Sequence, residues 1–202
     1  VVSQSMTLVT RFKQIGSNGM LWYVICSNAA QRMVYFAMFS YLAAYLTETY
    51  GKSTGDTALP LALVGLGAIL GAFIGSEVAG RAARLAVASA CSLGGGIAAV
   101  VLFSAGISEW MVIALGFGVA AFFSIGWPVL TTRLTELAGP STATALGFFA
   151  ASNQLGAVGG SAIGGLALAL GGFSMVGVFC LAVAAVAATV LRFKVRESPE
   201  FS

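Results

Sequence analysis

Long apolar runs separated by short polar segments dominate the pattern of this chain. Because an α-helix rises about 1.5 Å per residue, about 20 apolar residues cross the ~30 Å hydrocarbon core of a bilayer. The pattern predicts six membrane-spanning helices, at 21–46, 58–80, 83–106, 110–132, 142–170 and 173–191. The sequence therefore predicts an all-α polytopic membrane protein.

Residues typical of turns lie between these runs. The segment 47–57 is polar and contains two glycines, and Gly171-Gly172 predicts a tight hairpin between the last two helices. We interpret 1–20 as a cytoplasmic segment or linker, 21–191 as the transmembrane bundle and 192–202 as a cytoplasmic tail. No targeting segment precedes the first helix and the chain does not begin with Met, so we expect it to be part of a longer protein.

Composition agrees with a membrane protein and excludes several kinds of chemistry. Only 8% of the residues are charged and 58% are hydrophobic, whereas soluble domains carry about 25% charged residues. The absence of histidine excludes His-based catalytic triads and histidine metal sites, and no phosphate-binding Gly-Lys-Ser/Thr loop is present. We expect no enzymatic activity, no cofactor and no metal, and we expect the three cysteines to be free thiols within the spans.

The positions of Lys and Arg predict the orientation of the chain. Eight of them fall on one side of a six-span arrangement: Arg11, Lys13, Arg81, Arg84, Arg133, Arg192, Lys194 and Arg196. Only Lys52 falls on the other side. Since loops rich in Lys and Arg remain in the cytoplasm, we expect both termini to be cytoplasmic, in a bacterial inner membrane. The net charge of +3 then reflects topology, and no pattern typical of nucleic-acid binding accompanies it.

Glycines recur at every fourth position in the second and fifth predicted helices. The two ladders consist of Gly67, Gly71 and Gly75, and of Gly156, Gly160 and Gly164. A spacing of four places each set along one stripe, where a neighbouring backbone can approach closely. Helices one to three and four to six carry matched ladders but cross the membrane in opposite senses. We therefore expect two inverted three-helix repeats.

In these features the chain resembles the C-terminal six-helix half of a major facilitator superfamily transporter, of the efflux-type branch. That family carries a glycine–acid–arginine signature in the cytoplasmic loop after the second helix of each half. Residues 75–84 look like a degenerate copy: Gly75, Arg81 and Arg84 match, whereas Gly80 stands where the family usually has aspartate. The resemblance implies secondary active transport by alternating access, with the two ladder helices facing an N-terminal six-helix half.

Arg32 is the clearest candidate for a functional residue. It lies ten residues beyond Trp22, about 15 Å into the membrane. A lone Arg at that depth costs at least about 2.5 kcal/mol, so its side chain must face the bundle interior or a wet cavity. Asn28, Gln31 and Tyr35 lie beside it along the helix. We expect either contact with substrate or a structural pair with a buried carboxylate or carbonyl.

Asn153 and Gln154 form a second polar pair, near the middle of the fifth predicted helix. Their amides are suited either to hydrogen bonding with a substrate or to a bridge between helices. The spacing of Asn153 relative to Gly160 places it close to the ladder stripe, and we expect it near the interface that this stripe forms.

Charged residues at the cytoplasmic ends of the helices are candidates for a gate. Glu77 precedes Arg81 by four residues, the favoured order for a helical ion pair, and Arg133 and Glu136 form a similar pair. Together with Arg84 they could hold the cytoplasmic side closed and release it when the halves rock.

Transport of a small molecule such as a drug, sugar or metabolite is the function that these features favour. The partners would be membrane lipid, an N-terminal half or a second copy, the substrate and, for proton-coupled transport, a proton carried elsewhere in the protein. A six-helix scaffold or sensor acting through its glycine ladders is the alternative. An aquaporin-like channel is excluded because the sequence has no Asn-Pro-Ala motif.

Overall fold

The computed structural model describes residues 8–104 and 106–197, and within these ranges the protein is all-α. The helices are α1 (Leu8–Ser17), α2 (Gly19–Tyr50), α3 (Ala58–Ala79), α4 (Arg84–Leu102), α5 (Glu109–Ala138) and α6 (Thr142–Phe193). A short 3-10 turn, Gly139–Ser141, joins α5 to α6. The predicted all-α class is confirmed.

A break divides α6 into two arms. Gly171 and Gly172 have non-helical backbone angles, and the positive φ of 67° at Gly172 favours glycine. We call the arms α6a (142–170) and α6b (173–193), and they correspond to the fifth and sixth predicted helices.

Two helices are longer than their apolar runs. Asn18 caps α2 by accepting a hydrogen bond from the backbone of Leu21, and Ser108 caps α5 by accepting one from Met111. Both helices also continue past the apolar run at their far ends, to Tyr50 and Ala138. Helical propensity and capping extend a helix beyond the part that hydrophobicity marks.

Three helical stretches of the described residues are long and apolar enough to cross a membrane. They are Ala58–Ala79, Arg84–Leu102 and Glu109–Phe193, of which the last contains α5 and both arms of α6. With its 32 residues, α2 also has the necessary length, but polar residues near its middle lower its hydropathy. The protein is an integral membrane protein.

The first glycine ladder packs α3 against α5, an interface that we call the apolar seam. A Cβ added at Gly67, Gly71 or Gly75 would lie within 3.0 Å of a backbone carbonyl of Phe117, Ala121 or Ile125, respectively. The contacts advance together along both helices, so the two run parallel. Side chains at these positions would push the backbones apart.

The second ladder packs α6a against α2, an interface that we call the polar seam. A Cβ added at Gly156 would lie within 3.0 Å of Ala29 and Arg32. One added at Gly160 would lie within that distance of Met33, and one added at Gly164 within that distance of Tyr41. These helices also run parallel. Each seam joins the second helix of one repeat to the first helix of the other, as expected for two inverted three-helix repeats.

The glycine stripes of both ladders face partners inside the bundle, where α5 and α2 cover them. The stripe with the smallest side chains gives the shortest helix-to-helix distance, which explains this placement. The opposite faces of the two ladder helices are uncovered, with Phe73 71% and Leu155 72% exposed. These faces leave room for the N-terminal half that the family resemblance implies, and that expectation stays a prediction.

The remaining helices complete the core. Gly96 of α4 packs against Ala184 of α6b, and Ser89 of α4 donates a hydrogen bond to the carbonyl of Ala188, with 2.8 Å between oxygens. At one end of the bundle α2 and α4 begin, and α3, α5 and α6b end. Lys and Arg concentrate at this end, and we call it the basic end.

Part of the predicted linker is helical. Ile15 of α1 is 1% exposed, and Gln14 accepts a hydrogen bond from Ser141 at 2.8 Å. The ring of Phe12 meets the ring of Phe148 edge-on, with 5.8 Å between centroids. Thus α1 packs on the start of α6a at the basic end.

Candidate functional site

Polar groups from four helices meet at one level of the bundle. Arg32, Ser92, Phe123 and Asn153 lie near the midpoints of α2, α4, α5 and α6a, respectively. The hydrogen bonds described below join these helices at that level. We call this group the mid-depth cluster: Asn28, Gln31, Arg32, Tyr35, Ser92, Ser152 and Asn153.

Arg32 is held by a backbone carbonyl and an aromatic ring. One terminal nitrogen donates to the carbonyl of Phe123 at 2.9 Å, and the guanidinium carbon lies 5.3 Å from the centre of the Tyr35 ring. No carboxylate pairs with Arg32 among the described residues. Its Nε is buried and has no hydrogen-bond partner there. Among the residues that the structure describes, a cation thus remains at mid-depth with no opposite charge beside it.

The carbonyl that binds Arg32 lies next to a proline-modified part of α5. Pro128 has no N–H, so the sequence predicts a released carbonyl four residues earlier, at Ser124. The bond is instead made at the adjacent Phe123, and α5 continues through Pro128 as one helix.

Asn28 joins α2 to α6a. Its Nδ2 donates to the hydroxyl of Ser152 at 2.7 Å and to Oδ1 of Asn153 at 2.8 Å. The side chain of Asn28 is fully buried, and its own Oδ1 has no partner among the described residues. The amide therefore bridges the polar seam and leaves one acceptor unused.

Gln31 joins α2 to α4 and lies against α5. Its Nε2 donates to the hydroxyl of Ser92 at 2.8 Å. A Cβ added at Gly126 would overlap its amide oxygen, so glycine at that position makes room for Gln31. That oxygen is buried and has no partner among the described residues.

Aromatic rings border the cluster. Tyr35 is half-buried, and its ring lies 5.2 Å from that of Phe39 and 5.4 Å from that of Phe36 between centroids. Arg32, Tyr35 and the two phenylalanines are all only partly buried in this chain. They form the part of the cluster that a ligand or a neighbouring helix bundle could contact.

The structure thus brings together five of the six residues proposed from sequence as substrate contacts: Asn28, Gln31, Arg32, Tyr35 and Asn153. It does not bring Gln154 to the cluster, because that side chain is exposed on a different face of α6a. Adjacent residues on a helix point about 100° apart, so the pair Asn153-Gln154 could not both face one site. Ser92 and Gly126 were not predicted from the sequence, since small residues in apolar helices are common and usually serve packing.

At the basic end, four charged side chains form an ion network. Arg84 is 1% exposed and binds both carboxylate oxygens of Glu136, at 2.8 and 2.7 Å. Its Nε bonds to Glu197 at 3.2 Å, and Arg133 bonds to Glu136 at 3.0 Å. The network ties the start of α4 to the end of α5 and to the segment after α6b.

The expected pair of Glu77 and Arg81 lies outside this network and is not formed. Both residues are exposed, and no ion pair joins them in the part of the chain that the structure describes. The reason is that α3 ends at Ala79, so Arg81 lies beyond the helix and the four-residue spacing no longer places the side chains on one face.

Comparison with known proteins agrees with this architecture. The family model of the Major Facilitator Superfamily matches residues 7–201. The chain belongs to the Major Facilitator Superfamily. This is a family of membrane transporters, and the resemblance seen in the sequence is confirmed at the level of the family. No curated protein sequence matches the chain significantly.

Solved structures show the same fold. A point variant of the E. coli fucose:proton symporter FucP superimposes with a TM-score of 0.81 and 19% identity. FucP in the outward conformation does so with a TM-score of 0.81 and 20% identity. Each comparison covers 95% of this chain but 46% of the transporter, so the chain spans less than half the length of these relatives.

Proposed function

We propose that the chain is the C-terminal six-helix half of a secondary transporter that moves a small molecule by alternating access. The observation that carries the proposal is Arg32, a cation in the mid-depth cluster with no carboxylate partner among the described residues. A charge in this position is costly in lipid and is expected at substrate and ion pathways. Transporters of this architecture bind substrate near the membrane midplane, where the repeats meet.

Unused hydrogen-bonding groups in the same cluster support the proposal. Asn28 and Gln31 each retain a buried acceptor, and Arg32 retains a buried donor. Buried polar groups are normally paired, and an unpaired one costs about 1–3 kcal/mol. A ligand hydroxyl that reached the cluster would donate to these acceptors, and a hydroxyl or anionic oxygen would accept from Arg32. Tyr35 and Phe39 would offer it an apolar face.

The basic end faces the cytoplasm in this proposal, in a bacterial inner membrane. The support is the excess of Lys and Arg at that end, since such residues are retained on the cytoplasmic side. The ion network of Arg84, Arg133, Glu136 and Glu197 would then lie at the cytoplasmic gate, and Glu77, Arg81 and an N-terminal half would complete that gate.

We propose export as the direction of transport, on the basis of the sequence resemblance to efflux-type members. The similar transporter FucP is a proton symporter by its name. The predicted spans contain no Asp or Glu near their midpoints. If transport is proton-coupled, the proton carrier would therefore lie outside this chain.

A ligand screen on the full-length protein tests the proposal. Molecules that bind the folded protein raise its melting temperature, by an amount that grows with the logarithm of ligand concentration over Kd. We expect hits from a panel of sugars, drugs and organic anions to lose their effect in Arg32→Gln and to keep it in Gln154→Leu, a change on the exposed face of the same bundle. Proteoliposomes loaded with a hit should then exchange it across the membrane, and inverted vesicles should accumulate it if the direction is export.

A membrane scaffold or sensor is the second candidate, favoured by the uncovered apolar faces of the ladder helices, where Phe73 and Leu155 are exposed. A sensor would bind a ligand without moving it, and a scaffold would bind none. Ligand binding without exchange in proteoliposomes would contradict transport and support a sensor.

A further inference from the structure

An open cavity of about 510 Å³ lies at the basic end, between the start of α4 and the end of α6b. Its floor is apolar and includes Leu85, Leu191 and Val195, and its rim includes Arg192, Arg196 and Glu197. This volume lies in the range of small-molecule sites. The cavity is separate from the mid-depth cluster, because none of its lining residues belongs to that cluster.

The cavity carries a net positive charge. Glu197 is already engaged, because one of its oxygens accepts from the backbone N–H of Leu85 at 2.9 Å and the other from Arg84 at 3.2 Å. Arg192 and Arg196 are exposed, and neither has an acidic partner in the described part of the chain. Within the described ranges, two guanidinium groups at the rim are thus available to an anion.

Exposed apolar side chains stand next to residues that line the cavity, along α4 and α6b. Phe193, beside Arg192 at the end of α6b, is 76% exposed, and Val87, one turn into α4, is 38% exposed. Both are apolar and belong to helical stretches that are long and apolar enough to cross a membrane. A molecule in the cavity would therefore have its charged part at the arginines and its apolar part against lipid-facing side chains.

We propose that this cavity binds the headgroup phosphate of an anionic phospholipid. Guanidinium groups form paired hydrogen bonds with phosphate oxygens, and basic pockets between membrane helices are suited to such headgroups. The apolar floor and the exposed Phe193 favour a lipid over a free phosphate, because a soluble anion gains nothing from them. Such a site requires only that the chain spans a membrane, so it does not depend on transport.

Lys and Arg at this end also serve membrane orientation, and the test separates the two roles. Full-length protein is placed in nanodiscs of phosphatidylcholine with or without phosphatidylglycerol, and lipid retained on release into the gas phase is measured by native mass spectrometry. The pocket variant is Arg192→Gln with Arg196→Gln. The matched control is Arg81→Gln with Lys194→Gln, which removes the same charge from the same end but does not line the cavity.

We expect the wild type and the control to retain phosphatidylglycerol and the pocket variant to retain about 25-fold less, since each of its two arginines contributes roughly fivefold near an anionic headgroup. Equal loss in the control would mean general surface electrostatics and would overturn the proposal. Equal retention of both lipids by the wild type would also overturn it.

Two further measurements keep the result interpretable. If the pocket variant does not fold, Arg196→Gln alone should still retain less phosphatidylglycerol than the wild type, by a smaller factor. An unchanged ratio of phosphatidylglycerol to phosphatidylcholine would contradict the proposal. Soluble glycerol phosphate should neither raise the melting temperature nor compete with the lipid. Competition by glycerol phosphate would identify a site for a free anion instead.

Discussion

The apolar and polar seams have the same backbone packing but different side chains. Asn153 lies three residues before Gly156 of the polar seam, where Val64 lies three residues before Gly67 of the apolar seam. Likewise Asn28 lies five residues before Met33 of the polar seam, and Gly116 lies five residues before Ala121 of the apolar seam. In the polar seam these positions form the Asn28–Asn153 hydrogen bond, whereas in the apolar seam a Cβ at Gly116 would press on Val64.

This difference separates the requirements of folding from those of function. The apolar seam shows that close glycine contacts and aliphatic side chains suffice to join two such helices. The polar seam contains the same contacts and, in addition, buried amides and a cation that are costly in lipid. Packing does not require those groups, which is why we propose that they bind substrate.

The largest expected effect is the loss of either seam. In Gly71→Ala the new methyl group would overlap the carbonyl of Ala121, and in Gly160→Ala that of Met33. Overpacking of this kind costs roughly 1–3 kcal/mol, and here the neighbour is backbone that cannot rotate away. Thermal unfolding in detergent should show a lower melting temperature for both variants, of similar size.

Two glycines on the same helices provide controls. No atom lies within 4 Å of a Cβ added at Gly65 of α3 or at Gly147 of α6a. Alanine at these positions should leave the melting temperature unchanged or slightly raised, since alanine favours helix. If Gly65→Ala destabilises as much as Gly71→Ala, the seam contacts are not the cause.

A loss of similar or smaller size is expected from the ion network, which lies outside both seams. Arg84→Gln would leave Glu136 and Glu197 without their shared partner. Arg81→Gln would remove an exposed charge that has no ion pair in the described part of the chain. Because the carboxylate of Glu136 is 29% exposed, we expect about 2 kcal/mol for Arg84→Gln and close to zero for Arg81→Gln. Unfolding of the two variants side by side measures this, and equal effects would show that the network adds nothing to stability.

Asn153→Val introduces into the polar seam the residue that the apolar seam contains. One hydrogen bond from Asn28 is lost, but its bond to Ser152 remains. Interhelical hydrogen bonds in membranes are worth about 0.6 kcal/mol on average, so stability should change little. Ligand binding should nevertheless fall at least severalfold, as measured by the ligand-dependent rise in melting temperature. A large loss of stability would instead assign Asn153 to packing.

Arg32→Gln should have the smallest effect on stability and the clearest effect on activity. Removal of an uncompensated cation from mid-depth should leave the melting temperature unchanged or raised. Exchange of substrate in proteoliposomes should fall by more than about tenfold, the loss of one charged hydrogen bond. If the Arg32→Gln variant had a much lower melting temperature but exchanged substrate normally, the hydrogen bond from Arg32 to Phe123 would serve stability and not substrate binding.

Periodicity and glycine spacing predicted the elements of the fold well but not their neighbours. The six apolar runs and the break at Gly171-Gly172 follow from hydrophobicity and turn residues alone. The glycine spacing indicated close contact but could not say with which helix, because a stripe carries no information on its partner. That required the three-dimensional arrangement of α3 with α5 and of α2 with α6a.

The site was predicted in part for similar reasons. A charged or amide residue in an apolar helix stands out, so Arg32, Asn28 and Asn153 were identified. Ser92 and the carbonyl of Phe123 are not unusual in sequence, and their role arises only from contacts across helices. The predicted ion pair between Glu77 and Arg81 was wrong because helix α3 ends two residues before Arg81.

Sided accessibility of the two equivalent positions Asn153 and Val64 tests the proposed substrate site most directly. Single cysteines are introduced as Asn153→Cys or Val64→Cys into full-length protein in which Cys26, Cys91 and Cys180 are replaced by alanine. A membrane-impermeant thiol reagent is then applied to right-side-out and inverted vesicles. We expect labelling of the Asn153→Cys variant from both sides, reduced by bound ligand, and none of the Val64→Cys variant. Equal labelling of the two, or none at either position from either side, would contradict a substrate site in the polar seam.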